Sequence, residues 1–185
     1  MAPKSAALKS YLENFAQGAR YFIQPACYKK GQLLHRSGYT CFDLFIFHKG
    51  VGRSFYYKDG LDITSHFVVD FGIISAIDSL VTRKPSKYNI EVLEDAKVSR
   101  ININQYEKFL SENPHHEKSA RQLTQVIYFE LAERIEGLMF HTAHERYQRL
   151  TDEYPDIVNR VNLGHIATFL GISQETLSRI RKIKG

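Results

Sequence analysis

The feature that most constrains the fold is a change of pattern near Asn113-Pro114, where a glycine-punctuated, β-rich stretch gives way to a long run without proline. From about residue 21 to residue 103, short runs rich in Phe, Tyr, Val and Ile are broken by Gly31, Gly38, Gly50, Gly52, Gly60 and Gly72. That pattern predicts many short strands and favours a sandwich, jelly roll or barrel. Residues 55–63 predict a hairpin, because Asp59-Gly60 supplies the positive φ angles that a tight primed turn demands. Beyond Pro114 no proline intervenes up to Tyr154, and Gly137 is the one weak helix former. A long helix is predicted from residue 114 to about 140, roughly 40 Å at 1.5 Å per residue. Leu123, Ile127, Leu131, Ile135 and Leu138 make one apolar stripe on it, suited either to the β domain or to a twin helix in a dimer. A second helix is predicted from residue 145 to about 154, and Leu8, Leu12 and Phe15 space a short N-terminal one.

A chain of 185 residues, 43% hydrophobic and 12% aromatic, has ample material for a buried core in one large or two small domains. No apolar stretch approaches the roughly 20 residues a bilayer crossing needs, and the first residues lack a secretory apolar core, so no membrane partner and a cytoplasmic location are expected. Two cysteines, Cys27 and Cys41, are too few for a disulfide scaffold, a four-thiolate zinc site or an all-Cys iron-sulfur cluster. The net charge of +5 is compatible with a polyanionic partner, and its distribution is more telling than its size. In residues 162–185, Arg179, Arg181, Lys182 and Lys184 face a single acidic residue, Glu175.

That same segment holds the strongest functional signal. Leu163, Ile166, Ala167 and Leu170 define one face of a helix that Gly171 ends, and Ser173 can cap a second helix by accepting from a backbone N–H near Thr176. Glu175 suits the positive end of that helix dipole. Leu177 and Ile180 point inward, leaving Gln174, Glu175, Ser178, Arg179 and Lys182 outward. A DNA major groove admits such a helix and exposes base edges that these side chains can read. Arg179 suits guanine, Glu175 a cytosine amino group and Gln174 adenine, while Ser173, Thr176 and Lys182 suit phosphate.

The run Ile166-Ala167 through Leu170-Gly171-Ile172-Ser173-Gln174-Glu175-Thr176-Leu177-Ser178-Arg179-Ile180 resembles the helix-turn-helix signature of the Crp/Fnr family. Lys29-Lys30-Gly31-Gln32-Leu33-Leu34, Leu44-Phe45-Ile46-Phe47-His48-Lys49-Gly50 and Val92-Leu93-Glu94-Asp95 resemble strands and turns of its cyclic-nucleotide-binding β-roll. The resemblance implies an α+β fold: an N-terminal double-stranded β-helix or jelly roll as sensor (1–112), a long dimerisation helix (113–141), and a C-terminal helix-turn-helix of winged-helix type (142–185). Its end is expected to be shortened, because the sequence stops at Gly185 with no room for a wing. It further implies a homodimer through the long helix, double-stranded DNA with a pseudo-palindromic site, and RNA polymerase as a candidate partner. Two recognition helices would lie about 34 Å apart.

The resemblance fails where cyclic AMP should bind. Family members that take it carry a Gly-Glu pair, whose Glu accepts from the ribose, and later an Arg followed by a hydroxyl residue for the phosphate. Here Ile73 follows Gly72, and Ser86-Lys87, or Arg83 in a shorter alignment, fall at the second position. The roll is therefore expected either to sense a small molecule other than cyclic AMP, with Gly72, Ile73, Ser75, Arg83, Ser86 and Lys87 as its neighbours, or to have lost ligand binding, and no cofactor is assigned. His141, His144 and Glu145 lack the zinc-protease spacing, so metal ligation is not expected. His115 and His116, adjacent on a helix turn, are expected to diverge. No haem ligand is indicated. Nor is an enzyme expected, for no nucleophile-base-oxyanion set, P-loop or Gly-x-Gly-x-x-Gly occurs. The competing reading is a ligand-binding regulatory module whose C-terminal helices contact a protein.

Overall fold

A computed structural model describes residues 23–183, so the helix expected around Leu8, Leu12 and Phe15 lies outside the described residues, as does Lys184. Strands β1 (Gln24–Tyr28), β2 (Leu33–His35), β3 (Asp43–Lys49), β4 (Gly52–Lys58), β5 (Leu61–Val68), β6 (Ile73–Ile74), β7 (Asn89–Val92) and β8 (Ala96–Asn102) form two antiparallel sheets. Their orders are β1-β8-β3-β6 and β2-β7-β4-β5, the two layers of a roll. The β4–β5 hairpin turns where Asp-Gly predicts it: Lys58 pairs with Leu61, with Asp59 at φ 52° and Gly60 at φ 75°. Phe45, Phe47, Val68, Ile74, Ile90, Val92 and Val98 fill the space between the sheets. Gly52 is required there, since a Cβ would lie 2.5 Å from the Phe47 ring.

Two short helices were not legible as such. Helix α1 (Ile77–Thr82) interrupts the strands, and α2 (Ile103–Glu112) begins at Asn102, whose side chain accepts from the backbone N–H groups of Asn104 and Gln105. A 3₁₀ turn (Pro114–His116) then leads into α3 (Glu117–Phe140). His115 and His116 do not diverge: their rings lie 4.1 Å apart between centroids, and His116 also rests against Phe109 at 5.2 Å. The tighter 3₁₀ winding and the Phe109 ring on α2 bring the two imidazoles together.

The apolar stripe of α3 divides. Steps of four residues advance about 40° each at 100° per residue, so the stripe winds around the helix. Leu123 packs into the roll with Ile46, Ile73, Ile101 and Tyr106, whereas Leu131 and Ile135 are 54% and 50% exposed in the single chain.

Helix α4 (Ala143–Glu153) starts two residues before the expected position because Thr142 and Glu145 form a reciprocal capping box. Helices α5 (Ile157–Arg160), α6 (Leu163–Leu170) and α7 (Gln174–Ile183) complete a small bundle. Tyr147, Leu150, Ile157, Ile166, Leu170, Leu177 and Ile180 form its core, which is continuous with Val51 and Phe67 of the roll. Among the described residues no helix is long and apolar enough to cross a membrane.

Gly171 makes the turn between α6 and α7 at φ 67°, with its N–H bonded to Thr168 O and the Ile172 N–H to Ala167 O. A Cβ there would meet Leu138 only at an ordinary 3.7 Å, leaving backbone strain as the whole penalty. Gly171→Ala should therefore cost about 1 kcal/mol, read as a lower urea midpoint with an unchanged slope.

Candidate nucleic-acid interface

The C-terminal pair of helices is built by local signals that hold in three dimensions. The Asn162 side chain accepts from the Gly164 N–H at 2.7 Å and starts α6. Ser173 Oγ accepts from the Thr176 N–H at 3.2 Å and starts α7. Leu177 (1% exposed) and Ile180 (7%) anchor α7 from behind. Ser173, Gln174, Glu175, Ser178, Arg179 and Lys182 are exposed on the other side, and Thr176 is partly covered. Arg179 leans on Thr176 Oγ1 at 3.4 Å and has no carboxylate partner among the described residues. Gln174 folds back toward α6: a Cβ on Gly164 would lie 2.6 Å from its Nε2, so Gly164 is the space Gln174 occupies.

The bundle is seated on the roll by α6, which lies against β5. The Thr64 N–H donates to Thr168 Oγ1 at 3.1 Å, and the Phe67 and Phe169 rings meet at 4.9 Å. Arg53, 2% exposed on β4, donates to Glu91 at 2.7 Å, to Thr64 Oγ1 at 2.9 Å and to both oxygens of Asp62, and its guanidinium lies 4.1 Å above the Phe55 ring. From the bundle, His165 Nδ1 joins this cluster 2.9 Å from Arg53. A second arginine, Arg160 on α5, pairs with Asp70 at 2.8 Å and Glu94 at 2.6 Å on the roll. Burial pushes the Asp70 carboxyl up, but bonds from Arg160 and the Gly50 N–H outweigh this and hold it below the usual carboxylate range. None of these three seat residues was singled out from the sequence. The one signal was Arg53, a charge within the apolar run 51–57.

The residues expected around an effector are not brought together. Gly72, Ile73 and Ser75 line a cavity of about 450 Å³ between the roll, α3 and the bundle, whereas Arg83, Ser86 and Lys87 do not. Ile73 is buried with Ile46, Ile101 and Leu123. Arg83 turns to α2 and donates to Asn104 and Glu107, both at 3.0 Å. Ser86 Oγ donates to Asp78 at 2.8 Å, and the Lys87 N–H donates to the other oxygen of the same carboxylate at 3.2 Å. Nor do the three residues of the His141, His144, Glu145 string converge: Glu145 accepts from Thr142, and His141 Nδ1 lies 3.0 Å from Arg149.

The sequence matches no protein-family model, and no curated protein matches it. Solved structures do. FixK2 from Bradyrhizobium japonicum superposes with a TM-score of 0.70 at 18% identity, over 86% of this chain and 83% of that one. A Crp/Fnr-family regulator from Eubacterium rectale gives 0.69 at 19% identity over 91% and 81%. CLP of Xanthomonas campestris, described as responsive to c-di-GMP, gives 0.67 at 12% identity over 93% and 91%. The fold is that of the Crp/Fnr regulators.

Burial, then the Arg53 charge, hold His165 below its ordinary pKa, with Asp62 and Glu91 opposing. A depressed folded value means that the unfolded state binds the proton first. Stability is full above about 6.5 and is lost as pH falls from there toward the folded value. The urea midpoint should thus fall between about pH 7 and pH 5, and His165→Gln, which keeps an acceptor for Arg53, should flatten that fall. His35, His48 and His66 are depressed likewise, so the flattening is partial.

Proposed function

We propose that the chain is a homodimeric, sequence-specific DNA-binding transcription regulator whose roll responds to a small molecule other than cyclic AMP. The observation that carries this reading is the α7 ridge, in which Glu175, Ser178, Arg179 and Lys182 stand outward, with Gln174 exposed but folded against Gly164, while Leu177 and Ile180 hold the helix from behind. A helix so mounted offers hydrogen-bonding groups to base edges and cations to phosphate. The dimer is supported by α3, where Tyr128, Ile135 and Met139 are exposed in the single chain and suit a twin helix. Two copies related by a dyad would present two α7 helices to a pseudo-palindromic site about one DNA turn long.

Two observations speak against cyclic AMP. Ile73, apolar and buried, stands where the resemblance expects the ribose-binding Glu. The Ser86 hydroxyl and the Lys87 N–H, the groups the resemblance would offer to a cyclic phosphate, are already donating to the Asp78 carboxylate. A second anion placed there would meet like charge. Titration calorimetry to millimolar cyclic AMP should show no saturable heat, and saturable micromolar binding would refute this part of the reading.

For the DNA itself, sites selected from a random duplex pool provide the ligand. Arg179→Ala should lose about 1–3 kcal/mol of discrimination between selected and random duplex. Lys182→Ala should weaken both alike and reduce the dependence on salt. Equal losses on both duplexes for Arg179→Ala would remove it from base reading, and no salt-dependent duplex binding at all would favour a protein partner for these helices.

A further inference from the structure

The cavity between the roll, α3 and the bundle has walls that are mainly apolar, with Phe67, Ile73 and Ile77 on the roll side and Ile127, Leu131 and Phe169 opposite. Its size falls within the roughly 300–1,000 Å³ typical of ligand sites. Among the described residues two cations in its wall, Arg134 and Arg146, have no carboxylate partner. Arg134 of α3 donates to the Phe169 carbonyl at 3.1 Å and lies 3.8 Å above the Phe169 ring. Neither contact neutralises it, and among the described residues it makes no ion pair.

The other two cations in the wall each make two polar contacts among the described residues. Arg146 donates to the carbonyls of His141 and Leu170, and Arg149 reaches Glu133 and His141. Of the carboxylates there, Asp70 pairs with Arg160, Glu133 with Arg149, and Glu130 and Glu153 lie near Tyr154. Burial pulls Arg134 down to about 10, a sign that its surroundings oppose the charge. His66 of β5, exposed on its strand, also lines the cavity, and the Arg134 charge holds it below its ordinary pKa, so it is neutral near pH 7.

We propose that this cavity binds a small amphiphilic carboxylate, its head paired with Arg134 and its apolar body lying along Phe67, Ile73, Ile77, Ile127 and Leu131. A carboxylate can take two N–H donors of a guanidinium at once and so supplies the counter-charge that the site lacks. The neutral His66 ring offers a further polar contact without adding charge. A monoanion suffices for Arg134, because the Arg146 donors are already engaged by two carbonyls, and an amine fits less well.

The same contact gives the ligand a route to the bundle. Phe169, at the end of α6, touches both Arg134 and Phe67 of β5. A carboxylate that draws off the Arg134 donors releases the Phe169 carbonyl and loosens the seat of α6 on the roll. This second half rests on the DNA-binding reading of α7, whereas the site itself does not.

The test uses the full chain with decanoate as probe, kept below its micelle concentration, and decanol and decylamine as controls. Calorimetry should show one decanoate per chain. Decanol, decylamine and the Arg134→Gln variant should each bind weaker by roughly ten- to a hundredfold, the loss of one charge-assisted contact. Should Arg134→Gln fail to fold, Ile77→Glu, at an exposed position of the wall, should repel decanoate while leaving decylamine binding no weaker. Equal binding of decanol and decanoate, or undiminished binding by both variants, would overturn the site. Mobility shifts on selected duplex with and without decanoate then separate the two ideas. Selective decanoate binding with no duplex binding leaves the site standing and removes the DNA reading; duplex binding without decanoate binding does the reverse.

Discussion

Arg53 carries a full positive charge at the junction of the roll and the helical bundle, and almost none of it reaches water. Moving such an ion out of water costs several kcal/mol unless its donors are met. Here they are met from several sides: Glu91 on β7, Asp62 and Thr64 on β5, the face of Phe55 below, and His165 from the bundle. The cluster therefore tolerates little rearrangement, because withdrawing one member leaves a charge or donor stranded in a poor solvent. Since His165 belongs to α6, the demand for satisfaction is also a demand on where the bundle sits. Arg160 adds a second directional tie to Asp70 and Glu94, and the Phe67–Phe169 contact supplies apolar area beside both. The direction in which α7 faces is thus an outcome of chemistry on the roll.

The parts of this arrangement legible in the sequence are those whose cause is local. Asp59-Gly60 can adopt φ values most residues avoid, Gly171 likewise, and Ser173 caps whatever helix follows it, so these turns and ends fall where the residues place them. Leu177 and Ile180, three residues apart, needed only helical periodicity. The capping box at Thr142 and Glu145 was also present in the sequence, and attending to it would have moved the start of α4 by two residues. What was not legible joins distant positions: His165 is 112 residues from Arg53, and Arg160 is 90 from Asp70. No window along the chain relates such pairs. Periodicity gave no hint that the effector residues would separate, with Arg83 drawn to Glu107 on a helix that strand grammar had not anticipated.

The fate of the nucleotide cassette follows from the same electrostatics. A loop that binds a phosphate keeps N–H and O–H donors open, which is costly unless an anion is supplied. In this chain Asp78 supplies it from within, accepting from Ser86 Oγ and the Lys87 and Ser79 N–H groups, while Ser79 Oγ accepts from the Cys41 N–H and donates to the Lys84 carbonyl. The loop is thereby closed upon itself and needs no ligand to be satisfied. Arg134, partly buried and without a carboxylate partner among the described residues, lies elsewhere, so an anion has more to gain at the cavity wall than in the loop.

Why α3 presents that arginine inward follows from counting turns. At 100° per residue, Arg134 lies about 20° from Leu123 around the helix axis and Gly137 about 40° on the other side, whereas Ile135 lies about 120° away. The face that meets the roll and the bundle thus carries Leu123, Arg134 and Gly137, with Leu123 and Gly137 buried, and the half-exposed Ile135 lies on another face. A stripe drawn through apolar residues alone passes from the inner face to the outer one and skips position 134, because a charge interrupts the pattern there. An arginine at an inward position of a helix that otherwise packs on apolar surfaces is costly to stability. It is retained at the point where α3, the roll and α6 converge, where one side chain touches the cavity and the seat of the bundle together.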